Sequence, residues 1–518
     1  MSIGVRAALA VMLLIGFYVM GLGLIAVVVG INILMCFSRA PVTAILALPF
    51  TAAAFFLVGR AFYASLRLRP REIAGVAVPE SEQPAVWSAI RTAAAAAGTA
   101  PPDCLWIDSR FNASVYEQTR WLGLRPGQRH LVVGAPMLVA LSPARLDAVL
   151  AHEFGHFAHR DTHLLPIVMR GRSGLAAALR TASFFKTANV SNGRWLVTVQ
   201  ILVVRLIHAY AVGFLKTTQK ISRSQEYLAD RISAELCGRD TAAAMLSDLP
   251  AYGAAYHFYR ARFADVGTGL GLVPMPEELF AGFGRMLDES RWQTAVEAQR
   301  PAPPVRKPTP FDSHPPIADR VAALRALPSD GRPEDKSSDR AVDRFDDAAV
   351  LLAAVARSEA QRADKHAVDW DTLADAVARA RARNIAGPLI AAIRMLNGTP
   401  ATLAGFFDRV EAGQMEVVLH RMLTPAQVGY TTSNPAVALE IGARALASAL
   451  PAWINAELAE AGLVRWKHSW AGAPVLDAQG VPDDLNEALA ALLGAEPSQA
   501  GPAAAALRDI LKGAGVPV

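Results

Sequence analysis

Cysteine is scarce in this chain: Cys36, Cys104 and Cys237 are the only three in 518 residues, far apart and odd in number. A disulfide framework needs pairs, so a stapled secreted scaffold is excluded and a reducing compartment fits. No C-x-x-C occurs, which argues against a thiolate zinc site. Charge is thin as well. Asp, Glu, Lys and Arg make up 19% of the residues, and the formal net charge is only +5. No basic stripe interleaved with aromatics runs along the chain, so nucleic acid is not an expected partner.

What the chain has instead is apolar sequence, 53% of it, in concentrated runs. Residues 7–37 are nearly all apolar, and residues 41–59 form a second run broken only by threonine and proline. Each is long enough to cross about 30 Å of hydrocarbon as a helix. A cleaved signal peptide fits poorly, because the first run far exceeds the usual apolar stretch of roughly 7–15 residues. The reading is a transmembrane helical hairpin over residues 1–60. Arg60, Arg67, Arg69 and Arg71 follow the second run, whereas the loop between the runs carries only Arg39. The positive-inside rule therefore places the N-terminus and everything after residue 60 in the cytoplasm. A multi-pass protein of a bacterial inner membrane is expected, with the lipid bilayer as a partner.

Beyond the hairpin, the length of 518 residues allows two or three domains. PAVWSAIRTAAAAAG at 84–98 reads as a helix ended by Gly98. CLWID at 104–108, ASVYEQTR at 113–120 and RHLVVG at 129–134 read as strands, the last two joined by a turn-forming GLRPGQ. Ser142-Pro143 is a helix start, an N-cap followed by proline at the first helical position. The helix it opens, PARLDAVLAHEFGHFAHR, has Leu146, Val149, Leu150 and Phe157 as its packing surface. Residues 195–215 have the length of a third span but contain Gln200, Arg205 and His208. Charged groups at bilayer depth face protein or water. Residues 164–216 are thus either a second membrane hairpin or a pair of helices lying on the surface. Residues 300–316 are a proline-rich connector, and 329–344 a polar linker. The fold class is α+β, mainly α-helical. A domain with a small β-sheet spans 61–328, and an Ala-rich all-α region of open role spans 345–518.

LAHEFGHFAHRD at 150–161 carries the chemistry. His152 and His156 lie one turn apart and point the same way on a helix, so two imidazoles reach one tetrahedral ion. Glu153 between them faces the open coordination position, where a carboxylate takes a proton from activated water. Neutral imidazoles with a carboxylate suit Zn²⁺, one per chain. A third ligand is needed, and two candidates stand out. His159 lies about 4.5 Å further along the axis than His156, so it would stretch away from an ion centred on the first pair. Its plainer role is contact with the helix C-terminal carbonyls or Asp161. In SRSQEYLAD at 222–230, Glu226 and Asp230 again share a helix face. Glu226 can complete a His₂Glu site, and Asp230 can accept the second ring N–H of a ligand histidine.

The order H-E-F-G-H-x-x-H-R-D, then S-R-x-x-E-Y-x-A-D, then D-S-H-P-P-x-x-x-R resembles the HtpX-like and CAAX-prenyl-protease group of membrane zinc endopeptidases, over roughly residues 105–325 and the N-terminal hairpin. The resemblance implies that His152, His156 and Glu226 bind zinc and that Glu153 is the general base. FNAS at 111–114 is similar to that group's Asn-Ala motif, although Ser114 replaces the usual aromatic. This implies that Asn112 and Ala113 belong to an edge strand holding the substrate backbone by β-augmentation. His314 and Arg320 match the group's His-Pro and Arg positions, where a cation stabilises the tetrahedral oxyanion. Otherwise His314 orders the proline-rich connector, and Arg320 pairs with Asp230 or a carbonyl.

The functional expectation is a zinc endopeptidase acting on misfolded or membrane-associated proteins, with protein or peptide substrates. The alternatives are a processing enzyme for lipidated or other defined peptides, and a catalytically silent membrane scaffold.

Overall fold

The structure is a computed structural model that describes residues 3–37, 52, 56, 73–117, 127–157, 194–300, 314–360, 365–424, 426–428 and 434–518. It divides into two compact units: residues 1–258 with 280–359, and residues 259–279 with 360–518. Within them the described chain is mainly helical with small sheets.

In the first unit, α1 (Ile3–Cys36) is one helix of 34 residues, roughly 51 Å at 1.5 Å per residue. Met12, Ile15, Val19, Leu22 and Val27 stand exposed along it. The second apolar run, 41–59, lies outside the described residues except for Ala52 and Phe56.

Four strands form the sheet: β1 (Gly75–Ala77), β2 (Cys104–Asp108), β3 (Ala113–Glu117) and β4 (Arg129–Gly134), in the order β1-β2-β4-β3. The central pair β2 and β4 is parallel. Its side chains Leu105, Ile107, Leu131, Val132 and Val133 are buried, as a near-continuous apolar run requires of a covered strand. β3 pairs antiparallel with β4, Ala113 opposite Val133 and Glu117 opposite Arg129, so among the described strands β3 is an edge. The turn residues 118–126 that join the pair lie outside the described residues.

α2 (Pro84–Ala96) packs on α3 (Pro143–Gly155). The Ser142 hydroxyl caps α3, accepting from the Arg145 amide at 3.3 Å, with Pro143 at the first position. Leu146, Ala148, Val149, Leu150, Ala151 and Phe154 bury its apolar face. The sequence reading carried this helix to residue 160, whereas the α-helix ends at Gly155 and His156 is its cap. His156 keeps helical φ and ψ of −64° and −17°, so the one-turn relation to His152 survives. His159 and the segment 164–185 lie outside the described residues.

α4 (Arg194–Cys237) is a single helix of 44 residues. The run considered as a third span is thus the N-terminal half of the helix whose C-terminal half carries Glu226 and Asp230. Its Tyr210 hydroxyl donates to the Leu13 carbonyl of α1, and the Phe17 and Tyr210 rings lie 6.1 Å apart. Further along, α4 crosses α3 closely. A Cβ built on Gly155 would sit 2.8 Å from the Ala229 Cα, and Ser233 Oγ donates to the Ala148 carbonyl at 2.8 Å. α5 (Ile317–Arg325) packs against α4 and buries Leu324.

The stretch 329–344 makes specific contacts with the first unit. The Arg332 guanidinium donates to the carbonyls of Leu236 (2.7 Å), Glu235 (3.0 Å) and Ala234 (3.2 Å), closing the C-terminus of α4. Asp335 accepts from Ser142, the Ala341 amide donates to the Leu141 carbonyl at 2.8 Å, and Arg344 pairs with Asp147 through both nitrogens. Although most residues of this stretch are exposed, several of its polar side chains have fixed partners. It is a strap along the first unit.

The second unit contains β5 (Leu272–Pro274) paired in parallel with β6 (His366–Val368), and the antiparallel pair β7 (Arg465–Lys467) and β8 (Val475–Asp477). Its core lies among α6 (Trp370–Asn397), α7 (Leu403–Glu411), α8 (Met415–Arg421), α9 (Pro435–Glu460), α10 (Leu485–Gly494) and α11 (Ala500–Gly513). Phe406, Phe407, Leu450, Trp453 and Leu507 are buried there. Among the described residues α9 is the one helix long and apolar enough to cross a membrane. Its Leu446, Leu450, Trp453, Ile454 and Leu458 belong to this core, so α9 reads as a core helix of the second unit.

Candidate metal centre

α3 and α4 bring three ligand-type side chains together because the glycine at 155 lets their backbones touch. His152, His156 and Glu226 each present a ligand atom, all within 4.8 Å of one another. His152 Nε2 lies 3.6 Å from Glu226 Oε2, and His156 Nε2 lies 3.9 Å from Glu226 Oε1. The two imidazoles stand edge to face with centroids 4.9 Å apart.

Glu226 Oε2 is buried and accepts no hydrogen bond among the described residues. Arg320 Nη1 is 3.0 Å away as an ion pair, without hydrogen-bond alignment. An orphaned buried carboxylate oxygen beside two imidazole nitrogens fits a divalent cation. Burial, followed by the positive field of His152, pushes the His156 pKa down to about 4. That imidazole is therefore neutral at neutral pH, as a ligand must be.

Around the ligands lies a charged frame. His152 Nδ1 is 3.0 Å from Asp230 Oδ1. Arg320 grips Asp230 through Nε (2.8 Å) and Nη2 (2.6 Å). His314 Nδ1 lies 2.6 Å from Glu226 Oε1, with its side chain 61% exposed on the open side. Burial pushes the Glu226 carboxyl up, but His314 and Arg320 outweigh it and hold it below the ordinary range. The same contest at Asp230 ends the same way through the Arg320 and His152 hydrogen bonds. His314 in turn is raised, first by its hydrogen bond to Glu226.

Glu153 behaves in the opposite sense. Burial raises its pKa, with the Glu226 charge adding to the rise. His152, His314 and the Val115 backbone pull the other way without cancelling it. Val115 lies on edge strand β3, which sequence reasoning did not connect to the site, because a backbone group leaves no signature in residue type. The close crossing at Gly155 and Ala229 was also missed. Its one available signal was a glycine inside a helical pattern.

All the residues singled out from the sequence near this cluster, Glu153, Asp230, His314 and Arg320, converge on it. Arg320 does so as a partner of Asp230 and Glu226. Ala113 opens β3 and Asn112 immediately precedes it. Residues 81–327 match the model of peptidase family M48. Through this stretch the chain belongs to peptidase family M48. It is a zinc metalloendopeptidase of that family, with His152, His156 and Glu226 as the metal site. No solved structure matches the chain. The M48 match ends at residue 327, so the strap after it and the helices of 360–518 lie outside the matched stretch.

Proposed function

We propose that this M48 peptidase is membrane-anchored and cleaves extended segments of misfolded or membrane-associated proteins on the cytoplasmic side of a bacterial inner membrane. The observation that carries the reading is the order of the sheet, in which β3 pairs with β4 alone among the described strands, with the Val115 backbone acting on the Glu153 carboxyl. The base then lies close to an open strand edge.

The edge follows from parity. The Gly134 amide donates to the Asn112 carbonyl at 2.8 Å. In the register of β3 with β4, Asn112, Ser114 and Tyr116 therefore turn their peptide groups toward β4. Ala113 and Val115 turn theirs outward. An extended peptide adds there as a further strand, with Asn112 and Ala113 at one end of the edge and the metal ligands beside it. That geometry selects unfolded segments and needs no particular side-chain sequence.

Zinc, when bound, supplies Lewis-acid polarisation at the scissile carbonyl. Glu153 accepts a proton from the attacking water and delivers it to the departing amine nitrogen; its raised pKa suits both halves of that shuttle. Asp230 accepts a hydrogen bond from His152 Nδ1–H and so directs the Nε2 lone pair toward a metal. The His314 cation, exposed on the open side, faces the position where oxyanion charge develops. Buried Arg320 is a positioning residue, holding Asp230 and Glu226 in place.

Membrane attachment is supported by the exposed apolar length of α1 and by its contact with the N-terminal half of α4. Both helices then share the bilayer region, and the cytoplasmic assignment follows the arginines after residue 59.

The test is Glu153→Gln in the full-length protein reconstituted in vesicles. The variant should keep one zinc per chain and lose about 10²–10⁴-fold activity on unfolded casein. Wild-type activity in a zinc-loaded variant would sink the assignment of the base. Cleavage of a defined lipidated peptide with casein untouched would replace the broad substrate class with a processing role.

A further inference from the structure

The second unit holds a cavity of about 370 Å³, at the small end of the roughly 300–1,000 Å³ of ligand sites. Its wall is apolar and aromatic, formed by Phe263, Trp370, Leu373, Val377, Ala382 and Trp466. Phe263, Leu373 and Ala382 are buried. Trp370 and Phe263 are braced by Trp470, at centroid distances of 5.0 and 5.5 Å, so the wall is held by ring packing.

Two arginines line the same cavity, Arg262 and Arg381. Both are exposed, and neither forms an ion pair among the described residues. Their neighbours differ: Arg260 is satisfied by Asp265, Arg379 by Asp375 and Arg383 by Glu460. Arg262 sits in a π-helical turn, Arg260–Ala264, a local departure from α-geometry that is frequent at functional sites. An apolar pocket with two unpaired guanidinium groups is complementary to an apolar body carrying one carboxylate.

Strand addition is blocked beside the cavity. The outward amides of Trp466 and His468 on and after β7 are already taken by Asp375 (3.0 Å) and Asp371 (2.8 Å). An internal extended segment therefore finds no backbone partners there, whereas a chain end needs none.

We propose that this cavity binds the C-terminal residue of a polypeptide, its apolar side chain against the aromatic wall and its carboxylate on Arg262 and Arg381. The preference for a polypeptide end over another small monoanion rests on the peptidase reading. The cavity's chemistry does not.

The experiment uses full-length Glu153→Gln protein and a fluorescein-labelled octapeptide ending in Leu-Phe with a free carboxylate. The same peptide amidated, and decanoate as competitor, form the other arms. The free acid should bind saturably, the amide about tenfold more weakly, and Arg262→Gln and Arg381→Gln should each weaken the acid about tenfold. Ala378→Trp, which fills the cavity, should abolish binding while the melting transition is kept. Equal affinity for acid and amide, or binding unmoved in both arginine variants, overturns the proposal. Decanoate binding more tightly than the peptide also overturns it, in favour of a lipid monoanion. Mass spectrometry of the recovered peptide separates the two readings, because cleavage by the Glu153→Gln protein would indict the general base and leave the cavity assignment standing.

Discussion

Glu226 and Asp230, two buried carboxylates one turn apart, share the single buried guanidinium of Arg320. Removing one member of such a set is costlier than the set is stabilising, because it strands buried charge. Arg320→Ala is expected to cost about 3–5 kcal/mol in metal-free protein. Its pH dependence tells more than its size. In the intact protein both carboxyls titrate below their ordinary range. Their stabilisation is therefore complete at neutral pH and is lost only as pH falls through those lowered values. Without Arg320 the His314 and His152 contributions remain but are no longer joined by the guanidinium, so both folded-state values rise toward the ordinary carboxylate range. The variant should therefore lose less stability than the intact protein as pH falls through that range. Melting curves in EDTA across that range check this, and parallel profiles for the two proteins would contradict it.

Cys237 gives a second forecast at the same scale. Burial and then the Asp147 charge push its thiol up to about 12. The thiolate is the reactive species, so iodoacetamide at mildly alkaline pH should leave Cys237 unmodified in folded protein and label it after denaturation. Rapid labelling of the native chain, read by peptide mass spectrometry, would show the thiol to be far less perturbed.

At the scale of elements, the crossing of α3 and α4 sets the ligand geometry. Two ligands stand on one helix or its cap and one on the other, and the backbones meet where Gly155 faces Ala229. A methyl group at 155 would press on backbone, which cannot rotate away, so Gly155→Ala should destabilise by about 1–3 kcal/mol and weaken zinc binding. Ala229→Gly in the same chain should recover part of both losses, the signature of two coupled neighbours. Additive losses in the double variant would place the strain elsewhere.

This crossing also marks how far the sequence could be read. H-E-x-x-H is legible because its chemistry is local: five consecutive residues on one helix and its cap fix two ligands and a base. Glu226 was reachable because it repeats the same one-turn logic 70 positions later. The Val115 backbone was not, since every non-proline residue offers the same groups. Nor was the strap at 329–344, because polar residues with fixed partners and polar residues in water have the same composition. The helix limit at Gly155 also eluded the pattern, which continues in apolar and basic residues past the true end.

At the scale of the whole molecule, the two units each carry a core of their own, and only the first contains the zinc ligands. The segment 259–279 joins the second unit although it lies within the M48 match. Nothing in its residues announces that, because partner choice is decided by packing and not by composition. Phe406, fully buried in the second core, offers the cleanest probe. Phe406→Ala leaves a cavity that should cost about 3–5 kcal/mol. It touches no ligand, base or edge-strand residue. Below its lowered melting transition the variant should therefore retain one zinc per chain and unchanged cleavage of a short peptide. Loss of zinc at temperatures where the first unit is still folded would show that the ligand set depends on the second core. In that event the helices beyond residue 360 would be part of the peptidase and not an appendage to it.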